Sequence, residues 1–209
     1  MGDDVTVVYY TSNREYEPFE DQVKKTLLAS IGDLPLISVS QKPIDFGRNI
    51  CVGDIGVSEL NVVRQLLTGA TEAATAFVIP VESDCLYPPD FFQFRPSRPD
   101  TFYYAQDGYI IWHGRGTFYR KNLREFTSVV GREHLIQMLN HILQTEPRHY
   151  PIVIKRRSLQ EVFSTSAPVV TIKTDRQMHR KHPFSKRNFT RSLPYWGTAQ
   201  DLWRQYPCV

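Results

Sequence analysis

Cysteine is scarce: Cys51, Cys85 and Cys208 are the only three in 209 residues, far apart and with no Cys-x-x-Cys. An odd, scattered set builds neither a zinc ribbon nor a disulfide scaffold, and it suits a reducing compartment. Cys85, beside Asp84, reads either as a reactive thiol or as a small core residue, and core packing is the commoner use of such a cysteine. No apolar run approaches the ~20 residues of a membrane-spanning helix. The acidic start Met1-Gly2-Asp3-Asp4 lacks the basic-then-apolar plan of a secretory signal, so no membrane association is expected. Internal repeats and low-complexity tracts are absent. So is a Gly-rich phosphate loop with a lysine near the first strand.

Hydrophobic residues make up 41% of the chain and charged residues 22%, the proportions of a folded domain rather than a disordered chain. The length suits one domain with a sizeable core. Net charge is +3, but its sign is unevenly spread. Residues 1–100 carry 8 Lys and Arg against 15 Asp and Glu, whereas residues 101–209 carry 17 against 7. From residue 148 to 191 there are eleven basic and two acidic residues. A polyanionic partner for the C-terminal half is one reading of this asymmetry; a solvated basic face is the other.

Residues 5–11 are β-rich and mostly apolar without alternation, as in a strand covered on both faces. Glu17-Pro18-Phe19 starts a helix with proline at its first turn. Phe19, Val23, Leu27 and Ile31 then share one face, and Gly32 ends the run. Residues 34–39 form a second strand, so the chain opens β-α-β, the unit of a parallel sheet. Residues 43–55, polar and Gly-bearing, predict a loop over a sheet edge. Ser58 predicts the cap of a second helix that buries Leu60, Val63, Leu66 and Leu67 and ends at Gly69. Residues 76–81 are the next strand, with Pro80 at its end because proline serves a central ladder badly. Short aromatic strands follow at 102–104, 109–112 and 117–119, then a helix over 132–144 burying Leu135, Leu139, Ile142 and Leu143. Beyond Pro147 the periodicity fades. One more strand is expected at 169–172, and the remainder reads as a basic tail held to the domain by Phe184, Phe189, Tyr195, Trp196 and Trp203. The expected class is α/β, a mostly parallel sheet flanked by helices. Residues 1–147 form the core, and 148–209 form a basic extension of the same domain.

Glu82-Ser83-Asp84 falls directly after a strand, at the sheet edge where open α/β folds bind ligands. Two carboxylates one residue apart can both turn toward a hard divalent cation such as Mn²⁺ or Mg²⁺, which takes carboxylates together with substrate phosphates. Such an ion offsets charge on a leaving diphosphate. Asp107, in Gln106-Asp107-Gly108, reads from the residues as the turn of an Asp-Gly hairpin.

The stretch Ala76-Phe77-Val78-Ile79-Pro80-Val81-Glu82-Ser83-Asp84-Cys85-Leu86-Tyr87-Pro88-Pro89-Asp90-Phe91-Phe92 resembles the D-x-D strand-loop of GT-A glycosyltransferases, especially small phage- and mobile-element-type members. Val7-Val8-Tyr9-Tyr10-Thr11-Ser12-Asn13-Arg14 is similar to their nucleotide-binding first strand and loop. Ser58, Asn61 and Arg64 match the helix that reaches toward the diphosphate-sugar. Phe102-Tyr103-Tyr104, Gly131-Arg132-Glu133, Lys186-Arg187-Asn188-Phe189-Thr190 and Leu193-Pro194-Tyr195-Trp196-Gly197 continue the likeness in order. The resemblance implies a Rossmann-like nucleotide half and a UDP-type sugar donor. It implies a metal on Asp84 and Glu82, a candidate catalytic base at Asp107, and donor contacts from Thr11, Asn13, Arg14, Ser58, Asn61, Arg64, Glu82 and Ser83. It also implies a cytoplasmic setting in a bacterial or phage-infected cell.

One departure concerns the metal. Relatives place a His-Gly-x-Asn element before the Asn-Phe-Thr, whereas this chain has His179 and His182 with no glycine. Either histidine is a candidate third ligand, with a basic surface as the alternative for both. Lys155, Arg156, Arg157, Arg180, Lys181, Lys186 and Arg187 are candidates to hold a polyanionic acceptor such as DNA with a hydroxymethylated base, or to clamp the donor diphosphate. Tyr195, Trp196 and Trp203 are available to stack bases or to fill the core. The rival readings are a nucleic-acid-binding module that has lost catalysis and a nucleotidyltransferase. The second is disfavoured by the missing phosphate loop.

Overall fold

The computed structural model describes residues 4–121, 127–145, 158–177 and 188–208. The first half comprises β1 (Val5–Thr11), α1 (Glu17–Ile31), β2 (Leu36–Ser40), β3 (Arg48–Cys51), α2 (Glu59–Glu72) and β4 (Phe77–Glu82). Next come β5 (Cys85–Leu86), a 3-10 turn at Pro89–Gln93, β6 (Thr101–Ala105), β7 (Gly108–Trp112), β8 (Phe118–Arg120), β9 (Ser128–Gly131) and α3 (Arg132–Thr145). The chain closes with β10 (Leu159–Phe163), β11 (Val169–Lys173), β12 (Phe189–Thr190), the pair β13 (Ser192–Leu193) and β14 (Gly197–Thr198), and α4 (Ala199–Gln205).

A seven-stranded sheet in the order β10-β6-β9-β4-β1-β2-β3 forms the centre. All its pairings are parallel except those of β9 with β4 and β6. β1 lies between β2 and β4 and is buried at all seven positions, which is why its sequence does not alternate. A second sheet, β12-β8-β7-β11-β5, packs beside it. On one face of the main sheet, Val63, Leu66 and Ala70 of α2 meet Leu135, Met138, Leu139 and Ile142 of α3 over Val8, Val39 and Val130. On the other face α1 is a wedge: Leu27 and Ile31 join the core of the main sheet, while Phe19 and Val23 join that of the second. The expected α/β class, with a largely parallel sheet flanked by helices, is the observed one.

Several local expectations need correction. Residues 48–51 are strand, not loop: β3 extends the parallel sheet at its edge, and its exposure hides it from a hydrophobicity reading. Pro80 lies inside β4 rather than at its end. β9 pairs with β4 at Phe77 and Val78, so Pro80 sits beyond that pairing, where no amide donor is required. α2 continues past Gly69 to Glu72. A Cβ on Gly69 would stand 2.3 Å from Val8 Cγ1, so the glycine serves close helix–strand approach rather than termination. α2 buries Asn61 and Gln65 along with Val63 and Leu66, whereas Leu60 and Leu67 are only partly covered. β6 and β7 lie in different sheets, so Asp107-Gly108 is not a hairpin turn. In the second half of the chain β10 joins the main sheet at its edge, and β11 sits between β7 and β5 in the second sheet. Trp196 is buried and donates its indole N–H to Pro168, while Phe189 and Tyr195 are exposed. Trp203 is partly buried and donates to the Arg115 carbonyl; Phe184 lies outside the described residues.

Candidate functional site

The parallel neighbours β1 and β4 end together, and their ends meet the end of β11 from the second sheet and the start of α2 around a cleft of about 160 Å³. Thr11 closes β1, and its hydroxyl accepts from the Asn13 amide. Asn13 adopts a left-handed backbone (φ 54°), and its Oδ1 accepts the amides of Gln41 and Lys42, tying the loop after β1 to the loop after β2. Ser58 caps α2 by accepting the Asn61 amide. Asn61 donates to the Ile55 carbonyl and accepts from Arg64. Gln65, 3% exposed, donates to the carbonyls of Thr11 and Val39 and so pins α2 to the ends of β1 and β2.

The chemistry is concentrated after β4. Glu82 is half-buried and Asp84 buried, and both line the cleft. Lys173, the last residue of β11, places Nζ 2.5 Å from Asp84 Oδ2, with the two side chains 10% and 8% exposed. Burial by itself would raise the Asp84 pKa, but the Lys173 charge and hydrogen bond outweigh it and hold the carboxyl below its ordinary value. Glu82 is pushed the other way, by burial first and then by the negative Asp84. Cys85 Sγ lies 3.3 Å from both Asp84 Oδ1 and Thr171 Oγ1, and burial pushes its thiol well up, so it stays protonated and packs as a core residue. Removal of the Asp84 carboxylate would leave the buried Lys173 ammonium without this counter-ion.

Ligand atoms of Glu82, Asp84 and Cys85 lie within 4.8 Å of one another. The two carboxylates suit a hard cation, for which a thiol is the softer and poorer ligand. Glu15 also lines the cleft; its pKa rises to about 7 through burial and Asp84 repulsion, opposed by the hydrogen bond from Thr174. Arg176 lies 3.6 Å over the Tyr16 ring, and Tyr16 donates to Asp175. Gln177 donates to the Ile172 carbonyl, while its Oε1 is buried without a donor.

The cleft thus collects Thr11, Ser58, Asn61, Glu82, Ser83 and Asp84 of the sequence candidates. Asn13, Arg14 and Arg64 are not among its lining; Arg14 and Arg64 are exposed. Asp107 is not in the cleft either: it pairs at the surface with Arg120, 2.5 Å away. His179, His182, Lys155, Arg156, Arg157, Arg180, Lys181, Lys186 and Arg187 lie outside the described residues. Sequence reading missed Glu15, Gln41, Gln65, Lys173, Arg176 and Gln177. Lys173 alone carried a signal, as a charge ending an otherwise apolar strand. No helix among the described residues is long and apolar enough to cross a membrane.

Neither a family model nor a curated protein matches the chain. Solved structures do. TarS 1–349 of S. aureus in complex with UDP-GlcNAc is similar over 87% of this chain and 60% of that one, with 13% identity and a TM-score of 0.56. TarS 1–349 in complex with UDP is similar over 81% and 60%, with 12% identity and a TM-score of 0.51. The chain therefore spans about 60% of the length of these structures. At such identities the likeness is one of fold, and it agrees with the glycosyltransferase-like, Rossmann-type architecture expected from the strand-loop motif.

Proposed function

We propose that the cleft binds a UDP-type nucleoside-diphosphate sugar and that the protein transfers the sugar to a hydroxyl acceptor. The observation that carries this reading is the buried charge cluster of Glu82, Asp84 and Lys173 at the carboxyl edge of a parallel sheet, beside the first β-α-β unit. That edge is where such sheets take nucleotides. TarS, of the same fold, holds UDP-GlcNAc and UDP in its complexes. In the transfer, the acceptor hydroxyl oxygen bonds to the anomeric carbon and releases its proton to solvent, the bond from that carbon to the diphosphate oxygen breaks, and the diphosphate leaves with the electron pair. Lys173 and Arg176 bring positive charge to the cleft where the leaving group's charge accumulates. Thr11 and Asn61 shape the nucleotide side, and Gln177 Oε1 offers an acceptor to a ligand hydroxyl or amide. A divalent ion held by Glu82 and Asp84 would supply further charge neutralisation when bound.

For the acceptor, the excess of 17 basic over 7 acidic residues in the C-terminal half favours a polyanion, and DNA carrying a hydroxymethylated base is the form proposed. Donor turnover tests the first half of the proposal without knowledge of the acceptor. UDP-, GDP- and CMP-sugars are incubated with the protein and Mn²⁺, and released nucleotide is measured. UDP-sugar hydrolysis that stops in Asp84→Asn is expected. No hydrolysis of any donor, or full activity in Asp84→Asn, would overturn it.

A further inference from the structure

The Asp84–Lys173 pair stands where a donor and its cation would both need room. Lys173 Nζ touches Asp84 Oδ2 at 2.5 Å, Cys85 Sγ lies 3.3 Å from Oδ1, and Glu82 adds a second carboxylate to the same cluster. The half-buried Glu82 carboxylate and the buried Asp84 carboxylate repel each other, and the ammonium relieves that repulsion. A divalent cation arriving alone must share Asp84 with the ammonium or displace it, and like charges in a poorly screened site repel. A diphosphate arriving alone attracts the ammonium, but drawing it away leaves the carboxylates uncompensated. Arriving together, the two ligands exchange partners with no charge stranded: the metal takes the carboxylates and the ammonium takes a phosphate oxygen. The side chain permits this, because the lysine stem is flexible and both Lys173 and Arg176 border the open cleft. The strand beneath it is fixed, since β11 is hydrogen-bonded on both edges and the Lys173 carbonyl accepts the His113 amide.

We propose that Lys173 is an exchangeable counter-ion that makes divalent-cation binding and nucleoside-diphosphate binding depend on each other. The inference rests on the donor reading given above. By linkage, whatever factor the metal adds to diphosphate affinity, the diphosphate adds to metal affinity.

The test is calorimetric titration of wild type, Lys173→Met and Lys173→Arg with Mg²⁺ alone, with UDP in EDTA, and with UDP at saturating Mg²⁺. Lys173→Met moves the two single-ligand affinities in opposite directions. Mg²⁺ alone binds at least about fivefold tighter and UDP in EDTA at least about fivefold weaker, the lower end of ordinary coupling between sites. Lys173→Arg keeps a cation on Asp84, so Mg²⁺ alone binds no tighter than to wild type. This arm stands by itself if the methionine variant does not fold. Tighter Mg²⁺ binding by the arginine variant overturns the proposal, as do affinities in the methionine variant that are unchanged or shift in the same direction. If UDP binds no form even with Mg²⁺ present, the donor reading itself falls, and the lysine proposal with it. Retained UDP binding without the opposed shifts removes the lysine proposal alone.

Discussion

Asp84 and Lys173 depend on each other for burial. Removing one partner of a buried ion pair costs more than replacing both, because the survivor keeps an uncompensated charge. Asp84→Ala is therefore expected to destabilise the fold by roughly 3–5 kcal/mol. The double variant Asp84→Ala/Lys173→Met should recover much of that loss, as measured by chemical denaturation. Additive losses in the double variant would mean that the two groups do not interact. Asp84→Asn also removes the counter-charge but keeps the side-chain shape and an oxygen to accept from the ammonium, which makes it the better probe of turnover. Glu15 gives a second residue-scale expectation. Its folded pKa, about 7, lies above the ordinary 4.5, so the folded protein holds a proton that the unfolded chain releases. The stability linked to that proton is full below 4.5 and is lost as the pH rises through about 7. Ionised Glu15 also adds negative charge to a cleft proposed to hold a diphosphate, so UDP affinity should fall over the same rise. Thermal melts and UDP titrations from pH 5 to 8 should show both declines in wild type and flat profiles in Glu15→Gln. A wild-type decline that persists in the variant would assign it to another group.

At the scale of elements, the contact between α2 and β1 makes the clearest claim. Alanine is the better helix former at position 69 by about 1 kcal/mol. The added methyl would meet Val8 Cγ1 at 2.3 Å and Val39 Cγ2 at 3.2 Å. Overpacking of that kind costs about 1–3 kcal/mol, so Gly69→Ala should destabilise, and adding Val8→Ala should relieve it. A stabilised Gly69→Ala in urea unfolding would show that the helix can shift without cost. The elements that could be read from sequence were those whose burial leaves a period. Phe19, Val23, Leu27 and Ile31 of α1 are all buried, and β1 and β4 were recognisable as apolar runs. The Ser58 cap announced the start of α2, and Glu82 and Asp84 could be placed at a strand end for that reason. β3 and β10 left no such mark, since β3 is partly exposed and four of the five β10 residues face solvent. Partners of the Glu82-Ser83-Asp84 motif were hidden differently. Lys173 lies 89 positions from Asp84, and Gln65 sits among helix positions where an apolar side chain is the default. Contacts made by topology rather than by spacing leave no local signature.

At the scale of the whole molecule, the charge gradient runs from an acidic N-terminal half that builds most of the cleft to a basic C-terminal half. If that half tracks a DNA backbone, log affinity should fall with log salt by roughly 0.9 per neutralised phosphate on duplex and about 0.7 on single strands. The slope should shrink in a Lys155/Arg156/Arg157→Ala triple variant, measured by fluorescence anisotropy. No binding at low salt would remove DNA as acceptor while leaving the donor site intact. An unchanged slope in the triple variant would move the track to other basic residues, with 180–191 the next segment to test. The central claim concerns the donor site, and its most direct measurement is a crystal structure of the protein with UDP and Mg²⁺. The expected result is a diphosphate in the cleft among Thr11, Asn61, Glu82, Asp84 and Arg176, with the Lys173 ammonium moved from Asp84 onto a phosphate oxygen. Nucleotide bound elsewhere on the fold, or absent at saturating concentration while the Asp84–Lys173 pair stays closed, would contradict it.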